Sequence, residues 1–380
     1  MRVEIDGGLP INLWLTNIED EALAQAKNLS RLPFAFRHIA IMPDSHVGYG
    51  MPIGGVLATK GVIIPNAVGV DIGCGMMAVR TGLTDIYEET IKSVMGDIRK
   101  GVPVGFSHHG KPRKWDGFES SPEIDVIQAE LSSAAKQLGT LGGGNHFIEI
   151  QKGDDGFIWL MLHSGSRNFG FKTARFFHEK AKELCEKWYS NIPHKDLSFL
   201  PLDEGAGQDY LRAMNYCLSF AHANREEMMR VIRDAVFDRT GCEFFESINV
   251  HHNYAVMEHH FGNNVMVHRK GAIRAYAGDV GIIPGSMGTA SYITEGLGNQ
   301  ESFMSSSHGA GRRMGRAEAT RTLNLEEEQR KMLGVVHGLR NQADLDEAPG
   351  AYKDIDEVMS NQIDLVKITV KLKPLAVIKG

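Results

Sequence analysis

Between His38 and Asp44 the chain reads HIAIMPD, an apolar run closed by a proline and a carboxylate. Four more stretches share that form: GFIWLMLHSG (156–165), SINVHHNYAVME (247–258), NVMVHRKGA (264–272) and VGIIPGS (280–286). Short runs rich in β-branched and apolar residues, bounded by glycine-rich turns, predict strands. Apolar positions recur at helical spacing in FKTARFFHEKAKELCEKW (171–188) and from Tyr210 to Asp238. A further helix is predicted over LEEEQRKMLGVVHGL (325–339), with Asn324 as its N-cap. The C-terminal KITVKLKPLAVIKG predicts a strand. Strands and helices do not alternate as regular βαβ units, so the expected class is α+β, with mixed sheets flanked by helices. No repeat, linker or charge block divides the chain, and one domain over 1–380 is expected.

Composition narrows the partners. Apolar residues make up 42% and charged residues 23%, ordinary for a globular protein. No run of about 18 apolar residues appears, so no membrane span is expected. MRVEIDGGLPINLW lacks the apolar core of a secretory signal, and the four cysteines form no CxxC pair. Both features point to a reducing, cytoplasmic setting. The net charge of −6 argues against a general nucleic-acid coat but leaves room for a locally basic groove. Clusters such as GYGMPIGG, VGVDIGCG and LGGGNH mark turns where backbone approaches something closely.

VGVDIGCGM brings Asp71 and Cys74 together between glycines. A free cysteine is usually a packed small hydrophobe. Three histidines change that weighting: His146 in LGGGNHFIE, His163 in MLHSGSR and His252 in NVHHNY, each at a strand end or beside a glycine turn. With Asp71 and Cys74 they form the donor set of a distributed metal site. His251 and His252 fall on opposite strand faces, so only one is expected to face the metal. His178, His222 and His337 lie on predicted helices and read as structural; His259 and His260 read as surface. Five donors exceed the need of one tetrahedral ion, whereas two ions sharing a thiolate would use them all. Paired ions suit phosphoryl transfer, and the softness of the donors alone points to zinc.

Basic residues supply a second constellation: Arg167 in HSGSR, Arg269 and Lys270 in HRKG, then Arg312, Arg313 and Arg316 in SSSHGAGRRMGR. The planar arginine fork matches phosphate oxygens, and for Arg313 a solvated position is expected. PGSMGT (284–289) adds a turn whose N–H groups and hydroxyls suit a nucleotide. There is no GxxxxGK[ST], so the chain is not a P-loop ATPase.

MPDSHVGYG, VGVDIGCGM, LGGGNHFIE, HSGSR, HHN, RKGA, PGSMG, SHGAGR and the terminal VIKG stand in the order found in RtcB-type RNA ligases, which the chain resembles from about Asp44 to Gly380, in their compact bacterial form. The resemblance implies a GTP- and manganese-dependent ligase with a central metal and nucleotide cleft. Such an enzyme joins an RNA 3′-phosphate or 2′,3′-cyclic phosphate to a 5′-hydroxyl, in RNA repair or tRNA splicing. It assigns His308 as the catalytic residue that becomes guanylylated. Asp71, Cys74, His146, His163 and His252 become the ligands of two metal ions, with Cys74 bridging. Asn145, Phe147, Ile148, Glu149, Asn253, Pro284, Gly285, Ser286, Met287 and Ser291 are expected to hold GTP, together with His308, Gly309, Ala310, Gly311, Tyr352 and Lys379. Arg167, Lys270, Arg312 and Arg316 match positions tied to phosphate or RNA, and Asp44 matches a functional carboxylate of unassigned role. Family members sometimes act with an activating or repair partner protein.

Two features depart from the pattern. Gly315 stands where relatives often carry serine. The segment 101–122 (GVPVGFSHHGKPRKWDGFESSP) has no firm counterpart, and its basic centre suggests an RNA-contact loop. The donor set alone would also serve a metal-dependent phosphoesterase or nuclease, but such an enzyme does not need a guanylylated histidine. Noncatalytic RNA binding fits less well with an intact set of chemical residues. The same chemistry on DNA 3′-phosphate ends is the remaining alternative.

Overall fold

The computed structural model describes residues 1–380 and is built on two large sheets, one mixed and one antiparallel. The first runs, strand by strand, Arg2–Val3, Ile11–Leu13, Ala35–His46, Ile53–Thr59, Asn263–Lys270 and Asn253–His260. The second runs Phe244–His251, Gly75–Thr81, Ile158–Ser164, Phe147–Gly153, Val366–Lys379, Ser291–Gly296 and Val280–Ile283. Within these sheets only Ile11–Leu13 and Ala35–His46 pair in parallel, consistent with the α+β expectation.

Strand alternation explains how each sheet is buried on both faces. In Ala35–His46, Ile39 and Ile41 pack toward helix Asp20–Ser30, with Ala26 and Leu29, while Ala40 and Met42 join a cluster with Ile283 and Tyr292. In Gly75–Thr81, Met77 and Val79 meet helices Glu88–Gly101 and Gly205–Thr240, whereas Met76 and Ala78 face Ile282, Met332 and Leu345. Helix Glu88–Gly101 buries Ile91, Val94, Met95 and Ile98, one face at 3.6-residue spacing. Acidic Glu88 and Glu89 begin that helix and basic Arg99 and Lys100 end it, complementing its dipole.

Several sequence expectations change here. The run 247–258 is two strands belonging to different sheets, Phe244–His251 and Asn253–His260. His252 is the joint, its N–H bonded to the carbonyl of Cys74 at 2.9 Å, and hydrophobic pattern alone does not reveal a change of sheet. Asn324 caps a helix as expected, accepting from the N–H of Glu327, but that helix stops at Lys331. Gly334 follows at φ +83°, and Val336 pairs with Ala376, so His337 lies outside any helix. His260 is buried, not surface, and its Nε2 lies 2.8 Å from Glu258. The same carboxylate grips fully buried Arg269 at 2.7 and 2.9 Å, which turns that arginine away from any phosphate. His178 and His222 do sit on helices, and Arg313 is exposed.

Candidate active site

Strand termini from both sheets converge on one cleft of about 430 Å³. In the second sheet, cross-strand pairs set Gly75 beside Ser164 and His251, and Phe147 beside His163 and Lys379. In the first sheet, His46 pairs with Ile53, and Lys270 with Gly55 and Asn253. The chain crosses between the sheets at His252, so that residue stands where the two sets of ends meet. Clefts at strand ends are common ligand sites, since loops there are free to vary over a rigid base.

One wall is a cluster of metal-type donors. Cys74 Sγ lies 3.4 Å from His146 Nε2 and 3.2 Å from His163 Nε2. His163 and His252 bring their Nε2 atoms within 3.3 Å, and His146 Nε2 is 3.2 Å from Asp71 Oδ2. Two triads capable of holding a cation result, Cys74–His163–His252 and Asp71–Cys74–His146, with Cys74 common to both. His146 and His163 donate Nδ1–H to the carbonyls of Leu141 and Asn145, each at 3.0 Å, which leaves their Nε2 lone pairs facing the thiol. Burial, then neighbouring imidazoles, drives the pKa values of His163 and His252 well down, so both stay neutral. Burial and the nearby Asp71 carboxylate push the Cys74 thiol well up. One S–H cannot satisfy several inward lone pairs, so this wall fits a cation better than it fits hydrogen bonds alone.

The SHGAGR turn holds His308. Its ring Nδ1 lies 2.6 Å from Asp44 Oδ2, and its backbone N–H donates to the same oxygen at 3.0 Å. Asp44 is fully buried, so the pair fixes the tautomer with Nδ1 protonated and Nε2 carrying the lone pair. Gly311, at φ +72°, is required here because a side chain would collide with the Asp44 backbone. The ring centroid of His308 is 4.7 Å from that of His252. Serines 305 to 307 form a short buried strand against Ala272–Arg274, which anchors the turn.

A second wall is basic. Arg312, Arg316 and Lys379 line the cleft beside Tyr352. Glu347 sits behind them, nearly fully buried. Its Oε1 accepts from Arg316 Nε at 2.7 Å, and its Oε2 is 3.0 Å from Arg312 Nη1 and 3.9 Å from Lys379 Nζ. Tyr352 donates its hydroxyl to the same Oε2. Lys270 enters from the first sheet, where burial lowers its ammonium to about 7 and its one bond is to the carbonyl of Tyr49 at 2.7 Å. Deep in the cleft, burial raises the Glu149 carboxyl to about 8 and lowers the Lys379 ammonium.

Most residues singled out in the sequence therefore share one cleft: Asn145, Phe147, Glu149, Asn253, the turn Pro284–Met287, the turn His308–Gly311, Tyr352, Lys379, Lys270, Arg312 and Arg316, besides Asp71, Cys74, His163 and His252. Others stand one layer back. His146 backs Cys74, and Asp44 backs His308. Ser291 Oγ accepts from Gly285 N–H and holds the PGSM turn. Arg167 lies behind the cluster, within 3.4 Å of His146 Nδ1 and against Gly142, where no side chain would fit. The side chain of Ile148 is a correction: strand alternation between Phe147 and Glu149 turns it into the core with Leu160 and Leu162. The segment 101–122 leans on the LGGGNH turn through Gly105 N–H to Gly142 O, anchored by Trp115 against Tyr216 and Phe220.

Sequence reasoning missed Glu347 and the pair Asn224–Arg225. Asn224 bonds Gly139 N, Thr140 N and O, and Gly165 O. Arg225 donates to Gly73 O and Ser164 O, both at 2.9 Å, and to the His251 ring. Together they tie down every loop that carries a donor of the metal-type wall. A signal existed: both residues fall on the apolar stripe Phe220, Ala221, Met228, Met229 of helix Gly205–Thr240. Polar residues on such a stripe are buried and must find partners.

Comparisons with known proteins show a family. A family model described as tRNA-splicing ligase RtcB matches residues 25–121 and 117–380. The chain is 41% identical to the RNA-splicing ligase RtcB of Escherichia coli (strain K12), covering 98% of this chain and 97% of that protein. It is 34% identical to the tRNA-splicing ligases RtcB of Nanoarchaeum equitans and Thermococcus kodakarensis, covering 95% of this chain and 92% of each. No helix is long and apolar enough to cross a membrane.

Proposed function

The chain belongs to the RtcB family and is an RNA ligase, and from that premise we propose that it joins RNA 3′-phosphate or 2′,3′-cyclic phosphate ends to 5′-hydroxyl ends, using GTP and two manganese ions, with His308 carrying GMP. The observation that carries this reading is the Asp44–His308 pair set beside His252 of the donor cluster. A hydrolase could use the cluster, but it has no step that needs a guanylylated histidine.

Groups in and behind the cleft support each step. His308 Nε2 attacks the α-phosphorus of GTP, the bond to the β-bridging oxygen breaks, and pyrophosphate leaves. The Asp44 carboxylate offsets the positive charge that grows on the imidazole. An oxygen of the RNA 3′-phosphate then displaces the imidazole and takes GMP, activating the 3′-end. The 5′-hydroxyl attacks that 3′-phosphorus, forms the phosphodiester and expels GMP; a cyclic phosphate is first opened by water. Arg312, Arg316 and Lys270 suit the phosphates passing between these steps. Glu149 and Lys379 offer a carboxyl and an ammonium to the edge of guanine, which presents N–H donors beside a carbonyl oxygen.

Asp71, Cys74, His146, His163 and His252 are the residues that would hold the ions, and Cys74 would bridge. Bound there, divalent cations would polarise phosphoryl oxygens and steady the leaving group. The thiolate and imidazoles would also accept zinc, so metal identity rests on the family likeness. The two-sheet cleft supports treating 1–380 as one ligase unit. Incubation with α-labelled GTP and manganese, followed by denaturation, tests the reading. Label should stay on the wild type and be absent from His308→Ala; equal labelling of both would sink it.

A further inference from the structure

Three cations and a tyrosine of the basic wall share one buried carboxylate, and that carboxylate does not itself line the cleft. We propose that Glu347 is a positioning residue, a clamp that fixes Arg312 and Arg316 for phosphate transfer, with Lys379 held beside them, without touching the substrate. The inference rests on the ligase reading above.

The clamp is rigid by construction. Glu347 ends the short helix Gln342–Glu347, whose start carries a full capping box from Asn341 and Asp344. Its carboxylate is 4% exposed, whereas the Arg316 side chain is 52% exposed and has its hydrogen bond only to Glu347. Arg312 is held from two sides, since Nη2 also reaches Asp346 O at 2.6 Å and its guanidinium lies 5.2 Å from the Tyr352 ring centre. Burial raises the Glu347 pKa, but Lys379, Arg312, the Tyr352 hydroxyl and Arg316 together outweigh it and hold the group ionised. Glu347 and the neighbouring Asp346 set two carboxyl groups against three cations, which leaves the wall net positive, so an arriving phosphate still finds attraction. What the carboxylate supplies is orientation. A guanidinium free to swing keeps its charge but loses the forked geometry that a transferring phosphoryl group requires.

That distinction separates the clamp from a binding or merely structural role. In Glu347→Gln the shape stays and the charge goes. The rate of ligation at saturating RNA should fall about tenfold or more, while the RNA KM stays level or drops, because the wall becomes more positive. The fraction of protein that accepts GMP label at completion should equal wild type, which a folding defect would not allow. Arg316→Gln opens the same clamp from its exposed side. If Glu347 acts through Arg316, the double variant should be little slower than the slower single variant. A raised KM with unchanged rate, a rate within about twofold of wild type, or losses that multiply in the double variant would overturn the clamp alone. If Glu347→Gln does not fold, an Arg316→Gln rate within about twofold of wild type overturns it as well. An unlabelled wild type would overturn the ligase reading and the clamp with it.

Discussion

The two walls of the cleft solve opposite electrostatic problems. The donor wall gathers neutral imidazoles and a thiol whose lone pairs crowd together, and it holds them with bonds to backbone. Asn224 and Arg225 reach from one helix to the loops of Gly73, Thr140 and Ser164–Gly165, so the donors cannot drift apart. The basic wall gathers cations that repel one another, and a single carboxylate holds them from behind. Backbone carbonyls suit the first case because they fix ring orientation without adding charge. A carboxylate suits the second because only an anion offsets the repulsion. The donor wall is therefore held by backbone, and the basic wall by one buried carboxylate.

The sharpest way to break this contrast is at Cys74, which belongs to both donor triads. Cys74→Ala should lower the rate of GMP labelling by about a hundredfold or more, since two sites lose a ligand at once. Labelling close to wild type would mean that the cluster is not one shared centre. Next comes Arg225→Met, which leaves buried carbonyls without a donor; unfolding in denaturant should show a loss of about 3–5 kcal/mol, with metal affinity falling in parallel. A loss below about 1 kcal/mol would show that the loops hold themselves.

A smaller effect concerns pH. The Cys74 thiol is pushed up and must shed its proton to bind a cation, so affinity should rise as pH rises, by about tenfold per unit while the thiol stays protonated. Calorimetry in buffers of different ionisation heat would count the proton released, and a flat pH profile contradicts the assignment. The smallest effect is at Glu149, whose folded pKa of about 8 lies above its ordinary value of 4.5. A raised carboxyl pKa favours the fold below pH 4.5, and that contribution is lost as pH climbs through 8. Glu149→Gln should then raise the melting temperature by about 2 °C or more at pH 8.5, and leave it nearly unchanged at pH 5.

How much of this was legible beforehand differs from residue to residue. Asp71, Cys74, His146, His163 and His252 stood out because glycine turns and strand ends flank them, and they do come together. Asp44 stood out only through family likeness; its contact with His308 spans 264 positions and no local pattern encodes it. Ile148 was expected beside its neighbours in the cleft, and strand alternation put its side chain in the core. Glu347 looked like any acidic residue in a polar loop, because a clamp exists only once Arg312, Arg316, Tyr352 and Lys379 are folded around it.

The sequence by itself determined where most strands and helices fall, the α+β class and the chemical types available, since apolar spacing, turns and donor residues are local properties of the chain. Tertiary structure alone decided which strand ends share a cleft, where His252 passes from one sheet to the other, and which carboxylate faces which cation. Those choices depend on contacts between segments hundreds of residues apart, and their energies arise only when both partners leave water together.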